Sequence, residues 1–320
     1  MVEIKEVKTR KQIKEFLNFP LNLYKGNEYF VPPLYGDEKK IFKLNYMYYD
    51  QSEAKYWNAY RDGKIVGRIS AILQKASNEK WKQKRVRFTR FDSIDDQEVA
   101  DALFAQVEEY AKEKGMEEVC GPLGFSDLER EGLLIEGFEY LNTFEEQYNY
   151  PYYQKLIENC GYQKDVDWIE HRLFNNPQKN EKIVKLGDLL LKRSGLHLAK
   201  KAPFKKFAKH YKEQFFELLD QTYDKLYGTV PFTKGMKNLL INNFAPIVNM
   251  NYFPVLVDDN DKIVCFALTF PSISEIMQKT NGHLYPWILP KLLHTIKHPK
   301  RVDLGLCGIL PENSLSGGIA

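Results

Sequence analysis

The chain is poor in the features that mark several protein classes. Its four cysteines stand at 120, 160, 265 and 307, with no pair at metal-ligand or redox spacing. No metal site is expected, and the thiols read as reduced ones in a cytoplasmic protein. No apolar run approaches the roughly 18 residues that a spanning helix needs, so no membrane partner is expected. The opening MVEIKEVKTRKQIKEF is charged throughout and does not read as a signal peptide. Charge of one sign is scarce as well. A net charge of +3 on 320 residues is too small to argue for nucleic acid. The one lopsided stretch, Lys179 to Glu213, holds eleven Lys/Arg against three Asp/Glu. It reads as a solvated face before it reads as an RNA site.

What is present is apolar and aromatic. Hydrophobic residues make up 43% of the chain, with 20 Tyr and 20 Phe, enough for sizeable cores and for lining an apolar cleft. The length suggests two domains of about 150 residues each.

Two stretches echo each other. YWNAYRDGKIVGRISAIL (56–73) places strand-like runs around Asp62-Gly63, a hairpin signal because glycine accepts positive φ. YFPVLVDDNDKIVCFALTF (252–270) repeats the plan, and Lys64-Ile65-Val66 recurs as Lys262-Ile263-Val264. Each hairpin is followed by an intervening segment and a strand, RVRFTRF from Arg85 and RVDLGLC from Arg301. The matching order favours a tandem duplication over two chance hairpins.

In the first copy, Asp95-Asp96-Gln97-Glu98 starts a helix that carries Val99, Leu103, Val107 and Tyr110 at helical spacing and closes at Gly115. MEEVC (116–120) reads as a strand, YYQKLIENC (152–160) as a short helix, and DWIEHRLF (167–174) as a closing strand. Residues 177–194 read as a linking helix with Ile183, Leu186, Leu189 and Leu190 on one face. A second unit follows, with helices over 205–227 and 233–249. The fold class is α/β, layered as α+β.

These residues resemble a family. The hairpin, the strand, the Pro311-Glu312 turn and Gly317-Gly318 are similar to the Gcn5-related N-acetyltransferase (GNAT) superfamily. FPLNLYKGNEYFVPPLY (19–35), GLLIEGF (132–138), YNYPYY (148–153) and NGHLYPW (281–287) resemble one little-characterised bacterial branch of it. The resemblance implies two tandem GNAT-like domains, each a mixed, mostly antiparallel twisted sheet flanked by helices. Residues 1–176 would be the first domain, with a degenerate CoA loop. Residues 177–194 link it to an incomplete second domain over 195–320, which ends at its CoA-loop motif. A family domain continues past this turn, so the natural chain is expected to extend beyond Ala320.

The implied activity is acyl-CoA-dependent N-acyl transfer, such as acetyl transfer to a primary amine of a small molecule or peptide. Acetyl-CoA or another acyl-CoA is the implied co-substrate, with no metal. Its pyrophosphate would lie on Ser314, Leu315, Ser316, Gly317 and Gly318, since glycine-rich loops of free N–H groups bind such anions. The motif match is partial, because Leu315 stands where the family has Gln or Arg. A backbone N–H at Gly308, Ile309 or Leu310 would face the developing oxyanion. Tyr153, as the leaving-group acid, and Glu312, as a base, are the catalytic candidates. Tyr148, Asn149, Tyr152 and Tyr153 are candidates for an acceptor pocket between domains, against core packing. The first copy has no glycine at its own turn, Asp92 to Asp96. Its carboxylates would repel a pyrophosphate, so the first domain is expected to have lost CoA binding. The alternative function is a non-catalytic acyltransferase-like protein that binds a small ligand or partner through an aromatic interdomain cleft.

Overall fold

The computed structural model describes residues 1–174 and 176–311. They form two compact units. Unit 1 comprises Met1–Asp167, Tyr227–Val230 and Ile273–Leu289, and unit 2 comprises Trp168–Leu226, Pro231–Ser272 and Pro290 onward. This division differs from a simple cut at 176, because two later segments return to unit 1. Gly282 shows how one of them is held. Its carbonyl accepts the Tyr35 amide at 2.9 Å, and a Cβ there would meet the Pro33 carbonyl oxygen at 2.1 Å. Only glycine permits that approach.

The chain order begins β1 (Glu3–Glu6), α1 (Arg10–Leu23), α2 (Tyr35–Lys40), β2 (Ser52–Arg61), β3 (Lys64–Gln74), α3 (Lys75–Trp81) and β4 (Arg85–Ser93). It continues with α4 (Gln97–Glu113), β5 (Glu118–Cys120) and α5 (Tyr152–Asn159). A capping box starts α1: Thr9 Oγ1 accepts the Gln12 amide, and Gln12 Oε1 accepts the Thr9 amide. The β2–β3 turn is Asp62-Gly63, both residues at positive φ, the conformation of the tight hairpin turn.

The sheet of unit 1 has the order β1-β2-β3-β4-β5, antiparallel except for β4–β5. Helix α4 lays Val99, Leu103, Phe104, Val107 and Tyr110 over it, against Ile69, Val86 and Phe88. Each such large apolar side chain contributes about 1.5–3 kcal/mol by burial. The parallel pairing of β4 with β5 lasts only from Arg85↔Glu118 to Arg87↔Cys120. The β4 strand then bulges, with Arg90 at φ 51, and its far end is left to other partners.

Then come α6 (Pro177–Ser194), β6 (His197–Leu198), α7 (Phe204–Tyr223), α8 (Lys234–Phe244), β7 (Val255–Val257), β8 (Ile263–Pro271), α9 (Ser274–Thr280), α10 (Leu289–Lys297) and β9 (Val302–Ile309). The second sheet has the order β6-β7-β8-β9, and every described pair is antiparallel. Phe207, Phe216 and Leu219 of α7 are buried, as are Phe253 and Phe266.

The expected repeat is visible in the element order. Each sheet opens with a strand, two helices, a hairpin, a short helix and a returning strand: β1-α1-α2-β2-β3-α3-β4, then β6-α7-α8-β7-β8-α9-(α10)-β9. The fold class is mixed α/β, as the periodicities indicated. One element is corrected. Residues 167–174 form no strand, and Ile169, Leu173 and Phe174 are exposed. Their apolar pattern imitates a strand, but among the described residues they belong to neither sheet.

Candidate functional site

The repeat defines two equivalent places, the end of β4 and the end of β9. At β4 the turn is already filled from within unit 1. Asp92 points inward and is 3% exposed. Arg68 Nη2 and Nε lie 2.7 and 2.8 Å from Asp92 Oδ2. The hydroxyls of Tyr24 and Tyr153 lie 3.2 and 3.3 Å from Asp92 Oδ1 and 3.0 Å from each other. Burial raises the pKa of Asp92, against the opposing pull of Arg68 and the two tyrosines. Burial, then neighbouring charge, also pushes both phenols well above their ordinary value.

The same tyrosines take the backbone of Ser93. Its N–H donates to the Tyr153 hydroxyl at 3.1 Å, and its carbonyl accepts from Tyr152 at 2.8 Å. The N-terminus of α4 is likewise occupied. Asp96 caps it by accepting the Val99 amide, and Arg61 bridges Asp96 and Glu98 at 2.6 and 2.8 Å. The charge that a helix N-terminus would offer a phosphate is met by the chain's own carboxylates. These residues do not fit a pyrophosphate.

At β9 the arrangement is different. Among the described residues β9 is an edge strand, paired only with β8. Leu310 donates its N–H to Val264 at 2.9 Å, so that amide is committed. Antiparallel pairing alternates, and the register Cys265↔Ile309, Phe266↔Gly308 and Ala267↔Cys307 turns the Cys307 and Ile309 amides away from β8. The Tyr223 hydroxyl, at the end of α7, meets that open side. It donates to the Cys307 carbonyl at 3.0 Å and accepts the Cys307 amide at 3.3 Å. A shallow hollow lies between α7 and α8, with Phe207, Phe215, Phe244 and Phe253 among its walls and Lys212 at its lining.

The sequence candidates fall into three groups. Tyr148, Asn149 and Tyr153 are buried in unit 1. Asn149 holds both backbone groups of Leu134 at 2.8 and 3.0 Å, and the Tyr148 hydroxyl donates to Phe138 while accepting from Asn27. The polar groups of Tyr148 and Asn149 brace the 132–138 loop, while the Tyr153 hydroxyl is taken up by Asp92, Tyr24 and Ser93. Tyr152 is half-buried over Ser93. Of Ile309 and Leu310, only the Ile309 amide faces the open edge. Glu312, Ser314, Leu315, Ser316, Gly317 and Gly318 lie outside the described residues.

Sequence reasoning missed Tyr24, Arg68 and Tyr223. Tyr24 and Arg68 are remote in sequence from Asp92 and carry no local motif. Tyr223 lies within the helical pattern read over 205–227, but it ends α7 far from β9 in sequence, and no local motif ties the two. Among the described residues no group of three metal-ligating side chains is found, and no helix is long and apolar enough to cross a membrane.

No family model matches the chain. Protein YghO of Escherichia coli (strain K12) is 27% identical over 294 residues, which cover 90% of this chain and 73% of that protein. The bacterial ceramide synthase of Caulobacter vibrioides is 23% identical over 299 residues, covering 91% of this chain and 75% of that protein. Among solved structures, a tandem GNAT protein from the clavulanic acid biosynthesis pathway is 11% identical, with a TM-score of 0.46 over 85% of this chain and 75% of its own.

Proposed function

We propose that the chain is an acyl-CoA-dependent N-acyltransferase of the GNAT type that works from its second repeat. The observation that carries this reading is the sequence relation, along 91% of the chain, to a protein named as a ceramide synthase. A ceramide is the amide of a long-chain amino alcohol, so that name describes N-acylation of an amine.

The geometry supports a location. An amine nitrogen attacks the thioester carbon to form the C–N bond and gives up a proton to a base, for which Glu312 is the candidate; the C–S bond breaks, and the leaving thiolate takes a proton. The outward amide of Ile309 is a donor for the oxyanion that forms on the carbonyl oxygen. Tyr223, whose hydroxyl rests on the same strand edge, is placed to protonate the thiolate. The apolar hollow beside α7 suits the hydrocarbon part of an acyl donor or an amine acceptor. The pyrophosphate falls to Ser314, Leu315, Ser316, Gly317 and Gly318. Unit 1 then serves as a scaffold, because its equivalent turn is filled by Tyr152, Tyr153 and Asp96.

Calorimetric titration with acetyl-CoA and with a long-chain acyl-CoA tests the reading. Saturable binding of at least one is expected, unchanged when Asp96 is replaced by Ala. No heat with either donor would remove the reading. A site at the β4 turn would show itself as binding altered by Asp96→Ala.

A further inference from the structure

We propose that Arg90, Glu38 and Glu129 form a binding site for a small primary amine that carries an oxygen acceptor close by, as amino alcohols and amino acids do. All three residues belong to unit 1. The inference is independent of acyl transfer.

The sheet of unit 1 has two unlike faces. Trp57, Ala59, Ile69, Ala71, Val86 and Phe88 belong to the apolar cluster under α4. Asn58, Ser70, Arg87 and Thr89 alternate with them and are equally buried, yet polar. Buried polar side chains are the informative exception in a protein interior. Several of these are satisfied from within. Ser70 donates to the Thr89 carbonyl, and Arg87 donates to the Gly124 carbonyl and the Ser77 hydroxyl.

Arg90 is not satisfied. It sits in the bulge between the pairs Ser70↔Thr89 and Arg68↔Asp92, at φ 51. Residues other than glycine rarely take that conformation, and a bulge re-aims the side chain it carries. The Arg90 side chain is only 10% exposed. Its Nε and Nη2 donate to the two Glu38 oxygens at 2.9 and 3.0 Å, which fills one edge of the guanidinium. Nη1 is buried and has no hydrogen-bond partner. Glu129 Oε2 stands 3.6 Å from Nη2, beyond hydrogen-bond reach, and accepts the Phe125 amide at 3.1 Å instead. The end-on fork of Nη1 and Nη2 is therefore unfilled. Backbone strain and an unmet buried donor on the same residue point to a ligand.

The surroundings define its chemistry. An unfilled guanidinium fork takes an oxygen, singly from a hydroxyl or in pairs from a carboxylate. Glu38 uses two acceptor positions, both on Arg90, and Glu129 uses two, on the Phe125 amide and the Tyr46 hydroxyl. A carboxylate offers about four such positions, so both retain acceptor capacity. Each is still 17% exposed, which leaves a donor a way in. A bare anion on the fork would lie against Glu129 and be repelled. A ligand with an ammonium for the carboxylates and an oxygen for Arg90 meets both demands at once.

The test is a saturation-transfer NMR titration of the full chain with a matched six-carbon series: 2-amino-1-hexanol, norleucine, hexylamine and 1,2-hexanediol. At least one of the first two should bind about tenfold more tightly than hexylamine, which lacks the oxygen, and than 1,2-hexanediol, which lacks the ammonium. Which of the two is preferred tells a hydroxyl ligand from a carboxylate one. Arg90→Lys keeps a cation beside Glu38 but removes the fork, and should lower affinity to the hexylamine level. Glu129→Gln should weaken the amines about tenfold and leave 1,2-hexanediol unchanged. Circular dichroism checks that each variant is folded, and Glu129→Gln decides should Arg90→Lys not fold. The comparison of probes on the unaltered chain needs no variant. The proposal is overturned if the oxygen-bearing amines bind no better than hexylamine, the result expected if water alone meets Nη1. It is also overturned if the folded variants keep the preference of the unaltered chain. Acyl-CoA binding should be the same in all of them, so failure here leaves the acyltransferase reading standing.

Discussion

Arg68 Nη2 lies 2.7 Å from Asp92 Oδ2 inside unit 1, where the two side chains are 7% and 4% exposed. This ion pair closes the place where the repeat would otherwise put a ligand turn. Removing one partner leaves a buried charge without its counterpart. Arg68→Met should cost about 3–5 kcal/mol in urea unfolding. A loss below 1 kcal/mol would mean that Asp92 is not held by Arg68.

Tyr153 is expected to act on stability and not on catalysis. Its hydroxyl joins Asp92, Tyr24 and the Ser93 amide. Tyr153→Phe leaves the Ser93 amide without its acceptor and should cost about 1–3 kcal/mol. Acyl-CoA affinity, measured by calorimetry, should not move.

How much of this was legible in the sequence depended on whether the signal was local. The Asp62-Gly63 hairpin, the Asp96-capped helix and the strand at 302–309 are written in adjacent residues, and the structure has each of them. The order of elements in the two repeats follows from the same signals. The role of Asp92 was not legible. Its partners are Tyr24, Arg68 and Tyr153, and only folding brings them together. Read alone, Asp92 joined Asp95 and Asp96 as one acidic turn, whereas the structure turns it inward. Residues 167–174 misled for the opposite reason, since an alternating pattern was present but the pairing was not.

Glu131 should give the protein a distinctive pH dependence. Burial, with Asp127 nearby, raises its pKa to about 8, and Oε2 has no hydrogen-bond partner. The folded state therefore holds a proton that the unfolded chain releases near pH 4.5. Its contribution to stability is full below that pH and is lost as pH rises towards about 8. Glu131→Gln should remove up to about 1.4 kcal/mol per pH unit of that slope. Urea unfolding of both proteins between pH 5 and pH 8 checks this. Parallel curves would show that Glu131 ionises normally.

At the open edge of β9, Ile309→Pro deletes the outward N–H while leaving the bonds to β8 in place, a substitution that edge strands accept. Acyl transfer should fall about 10²- to 10³-fold with the fold retained by circular dichroism. Tyr223→Phe should lower it by about 10²-fold or more. Unchanged rates in both variants would move the chemistry away from this strand.

The most direct measurement is product analysis by mass spectrometry after incubating the chain with an acyl-CoA and a long-chain amino alcohol. The account predicts an N-acyl amide and an equal amount of free CoA, both reduced in Ile309→Pro and retained in Asp96→Ala. An absence of amide with every acyl-CoA and amine offered would contradict it, as would amide formation that depends on Asp96 and not on Ile309.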